Sequence, residues 1–373
     1  MYLENLHLYS FKNYSEETLD FSPFINCFLG PNGSGKTSLL DAIYYLSLTK
    51  SALNPIDNQC VKHGETQMVL RGDFAKDSKN FQVICHVQNG QKKTVKLNKK
   101  PYSKLSEHIG KFPVVMIAPN DTEIIRDGSE IRRKFFDGML AQYDQPYLDI
   151  LIKYQHALKQ RNSLLKSFAE QNRVDKDQLE PWDSRILNWG ALLYETRKEM
   201  VHQFIPLFEE HYNQLSDKKE KMEIVFQSDW HDEKHTQLFK DNLRKDLLLK
   251  RTMMGSHRDD YEFLIDGHPI RKFGSQGQQK SFVIALKLAQ FDVLREKTGV
   301  KPILLLDDIF DKLDDMRIAR VIKLASEDTF GQIFITDARP ERTLAIIDQL
   351  PKERSIFLVE SGRVNVVPDT IPE

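Results

Sequence analysis

At 373 residues the chain is long enough for two or three domains and a large core. Its 53 Lys and Arg balance 54 Asp and Glu to a formal charge of -1, so any nucleic-acid site must be a local patch and not a global basic excess. No stretch approaches the roughly 18 apolar residues of a membrane span, and the N-terminus, with Glu4, Glu16, Glu17 and Asp20, has no apolar leader core. Cys27, Cys60 and Cys85 are dispersed, without metal or redox spacing, and read as buried thiols in a reducing compartment. There is no internal repeat.

In chain order, residues 2–29 read as a hairpin, with Tyr2, Leu3, Leu6, Leu8 and Phe11 at its apolar positions. Lys12 and Asn13 sit between its strands, where a cation and an amide either meet a nucleotide or form an ordinary polar turn. Residues 24–29 are a short apolar run, read as a buried strand. Residues 38–48 have helical spacing, with Leu39, Leu40, Ile43, Tyr44 and Leu46 on one face. Between them stands Gly30-Pro31-Asn32-Gly33-Ser34-Gly35-Lys36-Thr37, a complete G-x-x-x-x-G-K-[ST] phosphate loop, running into Ser38. Its glycines let the backbone approach a polyphosphate. Successive N–H groups and the helix N-terminus add partial positive charge. Lys36 is expected to bridge β- and γ-phosphates, and Thr37 to ligate Mg²⁺.

Residues 66–118 read as strands: 68–74, 81–87, then an Asn89-Gly90 turn before a return strand with Thr94, Val95 and Leu97, and 113–117. Residues 89–106 hold no acid but six lysines, Lys92, Lys93, Lys96, Lys99, Lys100 and Lys104. They form either a phosphate-contacting surface or protection of a sheet edge. From 121 to 250 the pattern is helical. Tyr147, Leu148, Leu151, Tyr154, Leu158, Leu165 and Phe168 form one stripe; Leu187, Leu192, Leu193, Met200, Phe204, Leu207 and Phe208 form another. Residues 169–180 break the pattern, Pro181-Trp182 opens the second helix, and Pro206 is expected to kink or interrupt it. Arg126, Arg132, Arg133, Lys134, Lys159, Arg161 and Lys166 make basic faces, either solvated or in contact with DNA backbone.

Phe273-Gly274-Ser275-Gln276-Gly277-Gln278-Gln279-Lys280 opens a further helix, a second place where an anion could meet a helix N-terminus. Ile303-Leu304-Leu305-Leu306-Asp307-Asp308 describes a Walker B strand, buried on both faces and ending in two carboxylates. Asp307 is expected to hold Mg²⁺ and Asp308 to orient the attacking water. Residues 332–336 form the next strand, with Thr336-Asp337 on the ligand side. Ser275-Gln276-Gly277-Gln278 resembles the ABC-type signature loop, which in that class completes the partner's ATP site. On that likeness Ser275, Gly277 and Gln278 meet the partner's nucleotide. Asp311-Lys312-Leu313-Asp314 resembles the D-loop.

Over nearly its whole length the chain resembles the RecF family of bacterial recombination and gap-repair ATPases, which have an SMC-like head. The likeness rests on Phe11-Lys12-Asn13-Tyr14, the phosphate loop with Leu39, Leu40, Ala42 and Ile43, Pro119 to Asp121, Arg132-Arg133 through Phe136-Asp137, and Asp307-Asp308 to Asp314. Most specific are Gly255-Ser256-His257-Arg258-Asp259-Asp260 and Ser275 to Gln279. Departures are Ser256 for a usual proline, Asn120 for a glutamate, Asp311-Lys312 for serine-glutamate, and no arginine near Ser51, with Leu53 in its neighbourhood.

The resemblance implies an α/β fold, a P-loop ABC-type ATPase head of mixed sheet and helices plus a mainly α-helical second lobe or short arm. Residues 1–120 would be the N-terminal part of the head, 121–250 the lobe, and 251–373 the C-terminal part. The insert is too short, and lacks the heptads, for a long coiled coil. The resemblance further implies ATP and Mg²⁺ as cofactors and slow, DNA-stimulated hydrolysis acting as a switch. It implies an ATP-dependent homodimer that clamps duplex DNA near single-strand gaps. RecR and RecO would be partners in loading RecA during recombinational repair and replication restart, in the cytoplasm at the nucleoid and without a membrane partner. Two other classes stay open, the ABC-type ATPase subunit of a transporter and that of a nuclease or defence complex. The Arg258-Asp259 region either couples the signature loop to the arm or is a salt-bridged turn.

Overall fold

A computed structural model describes residues 1–171, 173–216, 220–308, 330–348 and 353–367. The chain opens with β1 (Tyr2–Phe11), β2 (Tyr14–Asp20), β3 (Ile25–Leu29) and α1 (Lys36–Leu48). It continues through β4 (Gln67–Lys76), β5 (Lys79–Gln88), β6 (Thr94–Leu97), β7 (Lys100–Pro101) and β8 (Val114–Ile117). Then come α2 (Glu123–Arg126), α3 (Ser129–Leu140), α4 (Gln145–Gln171), α5 (Lys176–Leu215), β9 (Met222–Gln227), α6 (His235–Asp241) and α7 (Leu243–Leu249). They are followed by β10 (Asp260–Ile265), β11 (His268–Pro269), α8 (Ile270–Phe273) and α9 (Gln276–Thr298). β12 (Ile303–Asp307), β13 (Ile333–Asp337), β14 (Arg354–Glu360) and β15 (Arg363–Val367) come last. The chain divides into two units, residues 1–121 with 286–373, and residues 122–285.

Among the described residues the first unit holds two sheets, ordered β2-β1-β4-β5-β6-β7 and β15-β14-β3-β13-β12-β8. In the second sheet β14, β3, β13, β12 and β8 run parallel. Every residue of β3, β12 and β13 is buried, as apolar runs covered on both faces must be. β1 and β4 alternate instead, which gives the first sheet one buried face. That face packs on α1: Leu6, Leu8, Leu70 and Val83 share a core with Leu39, Ile43 and Leu46, and with Phe28, Phe334 and Phe357. Gly72 lets the helix approach: a Cβ there would lie 2.7 Å from Leu46 Cδ1. Asp77-Ser78 and Asn98-Lys99 are two-residue turns with positive φ throughout, chemistry that Asn-Gly or Gly-Gly would have announced.

In the second unit α4 and α5 pack antiparallel, as their cross-links record: Arg161 meets Asp183, while Tyr147 meets Arg197. Several expectations for this region need correction. α5 starts at Lys176, capped by the Asp175 carboxylate, and not at Pro181; it then runs on as one helix through Pro206. The packed face of an amphipathic helix outweighs one lost backbone hydrogen bond here. Residues 121–250 are not wholly helical. β9 pairs with β10 and β10 with β11, a three-stranded antiparallel sheet that Met222, Ile224 and Phe226 signal by their alternation. Because β10 pairs with β9, residues 251–285 belong to this unit, so the lobe ends far beyond the expected 250. Leu192 is exposed, off the packed stripe. Arg132 and Arg161 are not surface cations: Arg132 pairs with Asp260, and Arg161 is buried between Asp183 and Asp246.

Candidate functional site

The phosphate loop leaves the end of β3 and enters α1 at Lys36. Gly30 and Gly35 have φ of 153° and 117°, conformations closed to most side chains. A Cβ at Gly30 would run into the Val359 carbonyl oxygen, and one at Gly35 into the Asn13 amide, 2.7 Å from the Tyr14 hydroxyl. The loop is braced from outside. Asn13 Nδ2 and Gly362 N both donate to the Ser34 carbonyl, at 3.2 and 3.0 Å, and Tyr14 Oη donates to the Gly35 carbonyl at 3.1 Å. Lys36 Nζ donates to the Gly30 and Pro31 carbonyls, at 2.7 and 2.9 Å. Ser34 Oγ is buried with no hydrogen-bond partner among the described residues.

Two carboxylates close the site. Asp307 Oδ1 accepts from Thr37 Oγ1 and from Thr336 Oγ1, both at 2.8 Å. Burial raises the Asp307 carboxyl above its usual range; the two hydroxyls oppose that, while Asp308 adds to it. Burial lowers the Lys36 ammonium, with Asp308, Asp307 and Asp337 opposing. Asp308 has φ 47° and donates its N–H to Thr336 Oγ1. A cavity of about 350 Å³ is lined by Lys12, Asn13, Asn32, Gly33, Gly35, Lys36, Thr37, Ser38, Asp308 and Thr336. The donor set suits a polyphosphate with a hard divalent cation. Backbone N–H groups and an ammonium would suit the anion, and a hydroxyl and a carboxylate oxygen are the kind of oxygen ligands Mg²⁺ prefers.

Of the expected site residues, the structure brings together Lys12, Asn13, the loop from Gly30 to Ser38, Asp307 and Asp308. Lys12 is engaged: its ammonium lies 2.6 Å from buried Asp41, which also accepts from Ser51 Oγ and the Ala52 N–H. Asp337 turns inward instead of facing a ligand, its carboxylate accepting from Thr343 Oγ1 and the Arg339 N–H. Ser275, Gly277 and Gln278 lie in the second unit. There Ser275 Oγ accepts from the Gln278 N–H at 3.2 Å while Gln278 Oε1 accepts from the Ser275 N–H at 2.7 Å. This is a reciprocal capping box, legible in the Ser-x-x-Gln spacing, and it leaves Ser275 exposed at the start of α9. The D-loop residues Asp311 to Asp314 lie outside the described residues. Asp259 is buried and held by Arg197 and Ser228, and His257 Nδ1 meets Tyr154 Oη at 2.9 Å. Sequence reading missed the braces Tyr14 and Gly362; a backbone N–H at Gly362 has no side-chain signal.

Residues 2–353 match the model of the RecF/RecN/SMC N-terminal domain. A DNA replication and repair protein RecF of Flavobacterium johnsoniae is 46% identical over 357 residues, covering 96% of this chain and 99% of that protein. One from Cytophaga hutchinsonii is 46% identical over 373 residues, covering 100% and 99%. Among solved structures, the recombination mediator protein RecF-ATP in the RecFOR pathway superposes with a TM-score of 0.88 at 28% identity, over 98% of both chains. An SMC head bound to the C-terminal winged-helix domain of ScpA shares the fold, with a TM-score of 0.58 at 16% identity over 98% of this chain and 97% of that one.

Proposed function

Since this chain belongs to the RecF family, within the RecF/RecN/SMC group, we propose that it is an ATP-binding DNA replication and repair protein whose nucleotide state governs self-association on duplex DNA. The observation that carries the reading is the convergence of Lys36, Thr37 and Asp308 on one cavity, with Asp307 bonded to Thr37 at its edge, from segments 270 positions apart in the sequence. Lys36, now satisfied by carbonyls of its own loop, exchanges them for phosphate oxygens. Thr37 and Asp307, whose Oγ1 and Oδ1 lie 2.8 Å apart, would hold Mg²⁺, which would offset phosphate charge. Asp308 orients water, and Ser275, Gly277 and Gln278 serve the nucleotide of a second copy, so that each site is complete only in the dimer. Hydrolysis then acts as a release step. RecR and RecO are the partners proposed, and the duplex next to a single-strand gap is the DNA. The relatives from Flavobacterium johnsoniae and Cytophaga hutchinsonii, named as DNA replication and repair proteins, favour this reading over a transporter.

Sedimentation of the purified protein with Mg²⁺ and a slowly hydrolysed ATP analogue, with and without duplex DNA, tests the reading. The expected result is a monomer alone, a dimer with nucleotide, and a dimer that carries DNA when both are present. A monomer that ignores DNA at low salt, where phosphate contacts are strongest, would overturn it.

A further inference from the structure

The six lysines between 89 and 106 divide in the structure. Lys93 is docked: its ammonium lies 2.7 Å from Asp57, donates to the Thr49 carbonyl, and sits 5.1 Å from the centre of the Tyr45 ring. Lys92, Lys96, Lys99, Lys100 and Lys104 are exposed, and none makes a side-chain hydrogen bond or ion pair among the described residues. Asp57 is committed to Lys93 and Tyr45, and Glu107, the next acid after the lysines, accepts from the Ser103 hydroxyl.

The ribbon that carries them is tied to the rest of the sheet. Val95 is buried in the core, Asn98 exchanges two 2.8 Å hydrogen bonds with Gln82, and the Tyr102 N–H donates to the Val95 carbonyl. Lys96 leaves the face opposite Val95, Lys100 pairs with Leu97 on the other face, and Lys99 holds the turn at φ 68°. Edge protection accounts for a lysine on β7, the edge strand. It does not account for Lys96 on the inner strand, nor for Lys92 and Lys104, which lie outside the ladder. No large hydrophobic residue between 89 and 106 is exposed. Cations without an apolar anchor suit a phosphate backbone better than a protein surface, whose contacts centre on apolar and aromatic groups.

We propose that the β6–β7 ribbon, through Lys96, Lys99, Lys100 and Lys104 with Lys92 behind them, grips the phosphodiester backbone of duplex DNA. This rests on the DNA-binding reading above. The test is the full-length quadruple variant Lys96→Gln/Lys99→Gln/Lys100→Gln/Lys104→Gln. Its binding to a fluorescent duplex is measured by anisotropy across a salt series, with Mg²⁺ and the ATP analogue. Each lost contact is expected to flatten the slope of log K against log [salt] by about 0.9, hence by about 3 to 4 in all, with affinity falling at least about tenfold. Nucleotide binding and nucleotide-dependent dimerisation stay unchanged, and the matching Lys→Arg variant retains the wild-type slope. An unchanged slope overturns the proposal and leaves edge protection. Lost binding to polyglutamate with DNA affinity intact also overturns it and assigns an acidic protein. Should the wild-type protein itself ignore duplex at low salt, the functional reading falls first and takes the ribbon with it.

Discussion

The Thr37 hydroxyl donates to Asp307 Oδ1 at 2.8 Å across 270 positions of sequence. The same oxygen accepts from Thr336. Three segments are thus tied at one carboxylate oxygen before any ligand arrives, and the carboxylate has little orientation left to lose. That pre-setting makes single substitutions in this cluster interpretable.

Lys36→Ala removes the ammonium but leaves the braces from Asn13, Tyr14 and Gly362 in place. The loop therefore keeps its shape while its one buried cation is gone. Two charged hydrogen bonds at about 1.5–3 kcal/mol each correspond to at least about a hundredfold weaker nucleotide binding. Titration with a fluorescent ATP analogue checks this, and nucleotide-dependent dimerisation should vanish with it.

Asp308→Asn is expected to separate binding from turnover. Asn tolerates the φ of 47° at this position as well as Asp does, so the backbone stays put. Loss of the carboxylate that orients water should slow hydrolysis by about 10²–10⁴-fold and trap an ATP-bound dimer. Phosphate release measured beside gel filtration tells the outcomes apart. Hydrolysis at the wild-type rate would remove Asp308 from its role.

His108 sets an acid limit on the first unit. Its Nε2 faces the Leu46 carbonyl at 2.7 Å, so Nε2 carries the hydrogen and donates, and Nδ1 accepts from the Tyr102 hydroxyl. Burial pushes its pKa down to about 4. A depressed folded-state value means that the unfolded chain binds the proton first. Stability from this group is full above about 6.5 and is lost as pH falls from there towards 4. Between pH 6.5 and 5 the wild type should lose about 1.6 kcal/mol more than His108→Gln, because the unfolded imidazole is only half protonated at the upper limit. Chemical denaturation at both pH values measures the difference.

Arg197 is the keystone of the second unit. It is buried and donates to Asp137, Asp259 and the Ser256 carbonyl. Arg197→Met strands two carboxylates and should destabilise this unit by about 3–5 kcal/mol. Adding Asp137→Asn and Asp259→Asn should recover part of that loss, because uncompensated charge is what the single change leaves behind. Thermal unfolding of the single and triple variants checks the order. Nucleotide-dependent dimerisation that survives in the triple variant would assign the His257–Asp260 turn to structure and not to signalling.

What could be read in advance follows from how local each signal is. The phosphate loop, its strand and its helix are contiguous, so motif and periodicity reinforce each other over 24–48, and Asp307 is marked by the apolar run before it. β9 was hidden by helical surroundings although Met222, Ile224 and Phe226 alternate. The turn at Asp77-Ser78 lacked its signal because neither residue is glycine. Lys93 and Arg161 looked like surface cations because their carboxylate partners, Asp57, Asp183 and Asp246, are distant in sequence. Pairings across 22 to 85 positions leave no trace in a local pattern.

The strand that feeds the phosphate loop sits between β13 and β14, and Gln332 reaches back to bond both backbone groups of Leu3. A ribosome makes β3 more than 300 residues before either neighbour. During synthesis the antiparallel hairpins β1–β2 and β4–β5, and the α4–α5 pair, have their partners at hand, whereas β3 must wait for the last part of the chain. Closure of such distant ends is slow. A nascent chain therefore carries an unassembled nucleotide site until β13 and β14 have been made.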